Sequence, residues 1–169
     1  MHIYETGKYP NAKLRFLPTL CMHCEEPACE RACPTGATVR SKEGIVLVDD
    51  ETCIGCGYCV WACPYGARTL NHRPPRPYHP ALNVMTPYEE EGYTEHPKGH
   101  IEKCDFCELR LKEGREPACV ETCPASARTF GDLDDPDSEV SRLLVSRKGR
   151  QRLPQYNTKP SVYYLDLDV

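Results

Sequence analysis

The sequence lacks several features that would place it in a familiar class. No apolar run approaches the ~18 residues of a membrane-spanning helix, so we expect no membrane span of its own. The first residues, Met1–Glu5, show no basic stretch followed by an apolar one, so no secretory signal is visible. With 25 acidic and 21 basic residues the formal charge is −4, and no basic stripe is present that would favour nucleic acid.

Aromatic side chains are scarce as well: the 169 residues include three Phe and one Trp, which make a thin core. Eleven glycines and 16 prolines leave little room for long regular elements. The chain has instead twelve cysteines, about 7% of its residues, close to the level of cysteine-built scaffolds. We therefore expect cysteine chemistry, more than side-chain packing, to hold the fold.

The cysteines fall into three groups of four, each of which ends in a Cys-Pro step. Group A is Cys21, Cys24, Cys29 and Cys33; group B is Cys53, Cys56, Cys59 and Cys63; group C is Cys104, Cys107, Cys119 and Cys123. Group B has the spacing C-x2-C-x2-C-x3-C-P, which is typical of bacterial ferredoxins. Three closely spaced thiolates can bind one [4Fe–4S] cubane, and the fourth is carried away to reach a neighbouring cluster.

Two other uses of cysteine are possible. Disulfides require an oxidising compartment, and adjacent C-x2-C pairs are poorly suited to closing long loops. Structural zinc is the main alternative, because C-x2-C pairs are typical of zinc sites too. Zinc ribbons, however, need only two such pairs, and neither the third and fourth cysteine of each group nor three Cys-Pro steps. The spacing therefore favours iron–sulfur clusters.

An internal repeat indicates that the three groups share one design. Group A contains Glu26-Pro27-Ala28-Cys29, and group C contains Glu116-Pro117-Ala118-Cys119. Group C therefore matches group A with seven residues inserted between its second and third cysteines. Small residues follow each Cys-Pro step. They allow backbone amides to approach and hydrogen-bond cluster sulfurs, and simple turn formation is the alternative reason for them.

In two-cluster ferredoxins the fourth cysteine of each run binds the other cluster. Applied to groups A and B, this rule predicts two ligand sets, and the link between the groups fits, with a turn at Lys42–Gly44 and a short strand at Ile45–Val48. Cluster I would take Cys21, Cys24, Cys29 and Cys63, and cluster II would take Cys53, Cys56, Cys59 and Cys33.

Group C has no partner group in this sequence. By the same rule, Cys104, Cys107 and Cys119 would need a fourth ligand from another group, and Cys123 would serve that group's cluster. Three alternatives stay open: the partner group lay ahead of Met1, the four cysteines enclose a single cluster, or the site is empty or binds another metal such as zinc. We therefore expect two clusters and leave a third, or a fourth, open.

The pattern predicts an α+β chain with a ferredoxin-like double [4Fe–4S] fold of short strands and helices and much irregular structure. It divides into a double-cluster core (1–70), a Pro-rich insertion (71–103), the third cysteine group beside the core (104–130) and a C-terminal helix and strand that we expect to dock a partner (131–169). The helix is predicted to begin at Asp137 or Ser138 and to end near Arg147, and the strand to cover Ser161–Leu165.

The histidines do not form a recognisable metal-binding motif. His72, His79, His96 and His100 lie in or beside the insertion, but their spacing forms no metal motif with a second pair. His23 lies inside group A, where we expect it to support the site rather than bind the cluster.

The sequence resembles the four-cluster iron–sulfur subunits of molybdopterin oxidoreductases of the dimethyl sulfoxide reductase and polysulfide reductase type. The resemblance rests on Cys21–Cys29 with His23, Gly44–Asp49, Cys53–Arg68, Lys103–Cys107 and Pro117–Leu133. It implies a non-catalytic subunit that relays single electrons between an integral membrane quinol- or quinone-reacting subunit and a molybdopterin catalytic subunit. It also implies a further cysteine group ahead of residue 1, which would pair with group C.

Two other functions compete with this one: a free-standing soluble polyferredoxin and a structural zinc protein. No nucleophile–base pair and no phosphate-binding loop is present, so we expect no catalytic residues in this chain. Location stays open, because relatives of this type lie either outside the cytoplasmic membrane, exported with a partner, or on its cytoplasmic face. Two oxidised cubanes of about −2 each would take the formal charge from −4 to about −8.

Overall fold

The computed structural model describes residues 2–72, 77–79, 81, 83–92 and 98–165. Short elements alternate with loops along this part of the chain. The strands are β1 (His2–Thr6), β2 (Lys13–Leu17), β3 (Thr38–Arg40), β4 (Val46–Val48), β5 (Thr69–Leu70) and β6 (Ile101–Glu102). The helices are α1 (Ala28–Arg31), α2 (Tyr58–Ala62), α3 (Pro87–Gly92), α4 (Glu108–Lys112), α5 (Ala118–Glu121) and α6 (Glu139–Arg147), and a 3₁₀ turn covers Pro154–Tyr156. The α+β class predicted from the sequence is confirmed at this level.

The strands form antiparallel pairs rather than one sheet. β1 pairs with β2, β3 with β4 and β5 with β6. The β3–β4 pair joins groups A and B through the predicted turn, where Gly44 adopts φ +83°. In the β5–β6 pair Leu70 lies opposite Ile101, so the two ends of the Pro-rich segment lie side by side.

The apolar core is small and lies against the cysteine loops. Met22, Ala37, Val46 and Ile101 are buried, and Tyr65 packs among them with 6% of its surface exposed. Several polar side chains are buried in the same region: His23, Thr38, Arg68 and Thr158. A core with this many buried polar groups depends on hydrogen bonds and on whatever the cysteines bind.

Helix α6 follows its sequence signals closely. The Ser138 hydroxyl accepts a hydrogen bond from the backbone amide of Ser141 at 3.2 Å, as an N-cap does. Lys148 takes the left-handed conformation, φ +52°, and ends the helix. The predicted helix is therefore confirmed, with Ser138 as its cap.

The predicted strand at Ser161–Leu165 is wrong. In this part of the described chain, a single antiparallel bridge between Arg150 and Tyr164 forms instead. The reason is that Ser161 hydrogen-bonds a cysteine loop: its amide donates to the Met22 carbonyl at 2.9 Å and its hydroxyl to the His23 carbonyl at 2.7 Å. These bonds hold Ser161 against the loop of group A.

The described part of the Pro-rich segment contains a short helix and backbone hydrogen bonds that its composition did not predict. Pro87 opens the short helix α3, where proline at the first turn is tolerated because its missing N–H would be unpaired anyway. The amide of Asn71 donates to the His100 carbonyl at 2.9 Å, and the amide of Gly99 donates to the Asn71 carbonyl at 2.7 Å. These bonds continue the β5–β6 pairing by one step, which closes the base of the segment. Pro74, Pro75, Pro80, His96 and Pro97 lie outside the described residues.

Candidate iron–sulfur centres

Two cavities are lined by the cysteines of the two predicted ligand sets. Cavity 1, about 340 Å³ with its open mouth included, is lined by Cys21, Cys24, Cys29 and Cys63. Cavity 2, about 300 Å³ on the same measure, is lined by Cys33, Cys53, Cys56 and Cys59. Each cavity thus receives three cysteines from one group and the fourth from the other group.

The packing of two short helices produces this exchange. Helix α1 carries Cys29 and packs against α2, which carries Cys59. Cys33 follows α1 and Cys63 follows α2, so the fourth cysteine of each group leaves its own helix at the side of the neighbouring loop. Helices of four and five residues are not stable alone, so the pair is held by its surroundings.

Glycine shapes the loop of group B around cavity 2. Gly55 and Gly57 have φ of +66° and +76°, values that other residues adopt only with strain. A Cβ built on Gly55 would lie 1.8 Å from the carbonyl oxygen of Gly99. The backbone at the base of the Pro-rich segment therefore lies directly against the cysteine loop, which explains a glycine between Cys53 and Cys56.

The thiols of the two sites differ in their electrostatics. Burial raises the pKa of Cys24 to about 11, although a hydrogen bond from Thr158 acts against the rise. Burial also raises the pKa of Cys29, against the nearby Arg68 charge. Because metal ligands are thiolates, these buried sulfurs need a positive centre to ionise at neutral pH, and the irons of a cluster supply that charge.

Cys33 shows the opposite balance. Burial acts to raise its pKa, but hydrogen bonds from the backbone of Thr38, from the hydroxyl and backbone of Thr35 and from the backbone of Ala37 outweigh it and lower the pKa to about 7. These donors belong to the small-residue tail behind the Cys-Pro step and to the start of β3. The tail therefore brings amides to the sulfur of the fourth cysteine, while hydrogen bonds to cluster sulfurs stay a prediction.

Two cations, the buried Arg68 and the half-buried Lys103, lie beside cavity 1. Arg68 lines the cavity, is 4% exposed, and donates from Nη1 to the Thr38 hydroxyl at 2.9 Å. Lys103 donates from Nζ to the carbonyls of Val46 and Cys104, the latter at 2.9 Å. The Lys103 ammonium also interacts electrostatically with the Cys21 thiol. Among the described residues that line cavity 2 there is no Lys or Arg.

A strap from the C-terminal region, residues 158–161, closes one side of cavity 1. The amides of Glu25 and Glu26 donate to the carbonyls of Lys159 and Thr158 at 2.9 and 3.1 Å. The Thr158 hydroxyl, itself buried, shares a 2.5 Å hydrogen bond with the Tyr65 hydroxyl. The strap thus binds group A along its first half, from more than 130 residues away in sequence.

Group C folds as the repeat predicted, with its extra residues forming a helix. The seven-residue insertion contains α4, and Cys119 lies on α5, which begins after Pro117 as α1 begins after Pro27. Cys123 is the counterpart of Cys33. Backbone amides of Ala127 and Ala125 lower the pKa of its thiol, and the Ala127 amide lies 3.3 Å from its sulfur.

Group C packs on group A rather than standing apart. The Phe106 ring stacks on the His23 ring with centroids 3.7 Å apart, and Phe130 meets Phe106 edge-on at 5.4 Å. Burial is the main cause that raises the pKa of Cys104, and the negative charge of the nearby Cys21 thiolate adds to the rise. The third site therefore adjoins cavity 1.

The described ranges contain no group of three or more His, Cys, Asp or Glu side chains placed to hold a single metal ion. Among the histidines, His100 lies 3.6 Å from the Asp50 carboxylate and His79 stacks edge-on with Tyr78. The residues around the two cavities do suit a cubane: four thiols each, backbone donors, and in cavity 1 a buried guanidinium.

Sequence reasoning missed several residues of the site. From the sequence, Arg68 appears only at the end of a segment that carries the family resemblance, and no role is predicted for Lys103, Thr158 or Tyr65. Their types give no signal by themselves, since a lone Arg or Thr is usually solvated. A buried position for Arg68 could be suspected only from its place five residues after Cys63, on the small-residue tail of group B.

In the part of the chain that the structure covers, no helix is long and apolar enough to cross a membrane.

Comparison with known proteins agrees with this geometry. The 4Fe-4S dicluster domain family matches residues 12–75, which contain groups A and B, and residues 78–133, which contain group C. The chain is 43% identical to a sulfite dehydrogenase subunit of Allochromatium vinosum over 96% of its own length and 60% of that protein. It is 40% identical to the arsenate respiratory reductase iron–sulfur subunit of a Shewanella species over 97% of its own length and 81% of that protein.

A third relative, a tetrathionate reductase subunit of Salmonella typhimurium, is 40% identical over 90% of this chain and 52% of that protein. The chain spans about 60% of the length of several relatives that it matches. On the family match and these identities, the chain belongs to the 4Fe-4S dicluster domain family, and its relatives include the iron–sulfur subunit of an arsenate respiratory reductase.

Proposed function

We propose that this chain binds two [4Fe–4S] clusters, in cavities 1 and 2, and relays single electrons as the iron–sulfur subunit of a molybdopterin oxidoreductase. The ligands are Cys21, Cys24, Cys29 and Cys63 for cluster I and Cys53, Cys56, Cys59 and Cys33 for cluster II. The observation that carries the proposal is the composition of the two cavities, each lined by four thiols drawn from both groups.

The clusters supply one-electron redox chemistry, and the protein supplies the environment that sets their potentials. Thr35, Ala37 and Thr38 offer hydrogen bonds to the Cys33 sulfur, which favour extra negative charge on the site. Met22, Val46 and Pro64 line cavity 1 and limit the access of water. No step in this role makes or breaks a substrate bond.

Electron exchange requires a short path from a cluster to a partner, and cavity 2 offers one. Ile54 lines that cavity while 68% of its surface is exposed, and Trp61 on α2 is 91% exposed. Thr35 and Cys56 in the same lining are exposed as well, so the site lies close to the molecular surface and a docked partner comes within electron-transfer reach without a conformational change.

The partners that we propose are a molybdopterin catalytic subunit and an integral membrane subunit that reacts with quinol or quinone. Support comes from the relatives, whose names make them subunits of sulfite, arsenate and tetrathionate oxidoreductases. Two bound clusters would make the chain more acidic, so complementary basic surfaces on the partners would favour docking.

Group C is proposed as a third iron–sulfur site.

Anaerobic purification with metal and sulfide analysis tests the cofactor. We expect about eight iron and eight acid-labile sulfide for two cubanes, with more if group C is filled, and broad visible absorbance that bleaches on reduction. Zinc without sulfide would overturn the proposal. Copurification from the native source tests the role: molybdenum in stoichiometric amount supports it, whereas a chain that runs alone and cycles reversibly supports a free polyferredoxin instead.

A further inference from the structure

Arg68 is a buried cation whose side chain interacts with the Thr38 hydroxyl and with the Cys29 thiol. Its Nη1 donates to the Thr38 hydroxyl, but Nη2 is buried and makes no well-aligned hydrogen bond within the described residues. The described residues that line cavity 1 include no carboxylate. A buried charge without a partner is costly, so an arginine at this position points to an anion in the cavity.

The charge of Arg68 acts on cavity 1 more than on cavity 2. Its side chain is part of the lining of cavity 1, where it opposes the rise in the pKa of Cys29. Lys103 adds a second cation on the Cys21 side. The described lining of cavity 2 contains thiols, small residues, threonines and aliphatic side chains, with no Lys or Arg among them.

Reduction of an iron–sulfur cluster adds one negative charge to the site. A cation at short range in a poorly solvated environment stabilises the reduced form and raises the reduction potential. Because the guanidinium lines cavity 1 and meets the lining of cavity 2 only through its hydrogen bond to the Thr38 hydroxyl, the two clusters should differ in potential although their cysteine ligand sets are alike.

We propose that Arg68 makes cluster I the higher-potential member of the pair, so that an electron shared between the two clusters resides mainly on cluster I. Arg68 is a positioning and charge-compensating residue in this proposal, which rests on the proposed function. Its guanidinium already interacts with the sulfur of Cys29, which is a ligand of cluster I in the proposed function.

Potentiometric titration followed by electron paramagnetic resonance tests the order of potentials in the unmodified chain. Cys63→Ser and Cys33→Ser each remove one ligand from a single cavity, so the signal that each variant loses assigns that signal to its cluster. We expect the signal that reduces first to be the one lost in Cys63→Ser. If the first signal is instead lost in Cys33→Ser, the proposal is overturned, whatever happens to the Arg68 variants.

Arg68→Gln then tests the residue itself, with Arg31→Gln as the matched control, since Arg31 lies in group A with 59% of its side chain exposed. We expect the ratio of reduced to oxidised cluster I at fixed potential to fall at least tenfold, which is about a 59 mV decrease for a one-electron couple. Cluster II should shift much less, and Arg31→Gln should change neither. Equal shifts of both clusters, or none with iron content retained, would count against the proposal.

Two further variants separate charge from structural support. Arg68→Lys keeps the charge and should restore most of the potential. Thr38→Val keeps the backbone amide that serves Cys33 but removes the Nη1 acceptor and alters the lining of cavity 2, and it should leave cluster I within a small shift of the native value. If Thr38→Val lowers the potential as much as Arg68→Gln, Arg68 acts through local structure and the proposal fails. Absence of sulfide and of both signals in the unmodified chain would instead refute the proposed function.

Discussion

The imidazole ring of His23 lies flat against the phenyl ring of Phe106, with centroids 3.7 Å apart and planes 20° from parallel. His23 is fully buried between Cys21 and Cys24, and its Nδ1 accepts the backbone amide of Val46 at 3.1 Å. Burial is the main cause that lowers its pKa to about 3, so the ring is neutral at physiological pH. One histidine therefore joins a group A loop, strand β4 and a group C loop, and its position supports the sequence expectation of a supporting role.

Phe106→Leu tests whether this stack couples group C to cavity 1. Loss of the ring contact should lower the free energy of unfolding by about 1 kcal/mol, since Phe106 is half-buried and aromatic pairs contribute roughly that much beyond their area. Anaerobic unfolding of the cluster-loaded protein, followed by visible absorbance, measures it. Leu109→Ala, at a position 72% exposed, is the control. Equal midpoints for the two variants would show that the stack contributes no stability.

Tyr65→Phe tests the strap of residues 158–161. The variant leaves the Thr158 hydroxyl without its 2.5 Å partner and should cost about 1 kcal/mol. Because Thr158 lines cavity 1 and hydrogen-bonds Cys24, iron should leave that cavity faster when a chelator is added. Tyr156→Phe, at a position 57% exposed, is the control and should release iron at the native rate. Native release from Tyr65→Phe would mean that the strap does not protect the cluster.

Much of the site could be predicted from the sequence because its signals are local. Cysteine spacing depends on a few neighbouring residues, and it identified the eight thiols that line the two cavities. The cap Ser138 and the turn at Lys42–Gly44 are local in the same sense. In each case the physical cause, a ligand geometry or a backbone conformation, depends on residues close together in the chain.

The remaining features depend on contacts between distant segments. Ser161 bonds the carbonyls of Met22 and His23 instead of extending a strand, and no pattern near Ser161 encodes that choice. The β1–β2 hairpin was not predicted either. Polar and apolar residues alternate only over Lys13–Phe16, which is a short run for a strand signal, and the hairpin leaves apolar side chains such as Ile3 and Phe16 largely exposed, 60% and 59%.

Gly55→Ala should damage cavity 2 more than Gly57→Ala does. Both positions have positive φ, so each alanine costs about 1–2 kcal/mol in backbone strain. At Gly55 the new Cβ would also meet the carbonyl oxygen of Gly99 at 1.8 Å, whereas the space at Gly57 is open. We expect Gly55→Ala to lose iron from cavity 2 and Gly57→Ala to retain it. Similar iron contents in the two variants would show that the Gly99 backbone gives way easily.

Glu89 fixes the start of α3 and should make that helix sensitive to acid. Its carboxylate accepts hydrogen bonds from the Thr86 amide at 2.7 Å, the Thr86 hydroxyl at 2.8 Å and the Tyr78 amide. These bonds, led by the Thr86 and Tyr78 amides, lower the pKa of Glu89 below its usual 4.5. The unfolded segment therefore takes up a proton more readily than the folded one. The stabilisation is complete above the usual pKa and is lost as pH falls below it.

Amide hydrogen exchange measures this effect. The protection of Thr86 in the native chain, divided by its protection in Glu89→Gln, should be constant near neutral pH and fall toward one as pH decreases through the usual pKa of a glutamate. The ratio cancels the intrinsic pH dependence of exchange. Glu90→Gln, one position further along α3, should show native protection at every pH. A ratio that does not change with pH would mean that the carboxylate charge does not hold the helix start.

Cys63→Ser and Cys33→Ser test the exchange of ligands between groups A and B. In sequence Cys63 belongs to group B, but it lines cavity 1 with three group A thiols, and Cys33 lines cavity 2 with three group B thiols. We therefore expect Cys63→Ser to perturb or remove the cluster bound by Cys21, Cys24 and Cys29 and to leave the other intact. Combining Cys63→Ser with Cys21→Ser should cause no loss of iron beyond that of one cluster, because both residues serve cavity 1. Combining Cys63→Ser with Cys53→Ser should remove both clusters. If Cys63→Ser and Cys53→Ser instead perturb the same cluster, each group binds its own cluster and no ligand is exchanged.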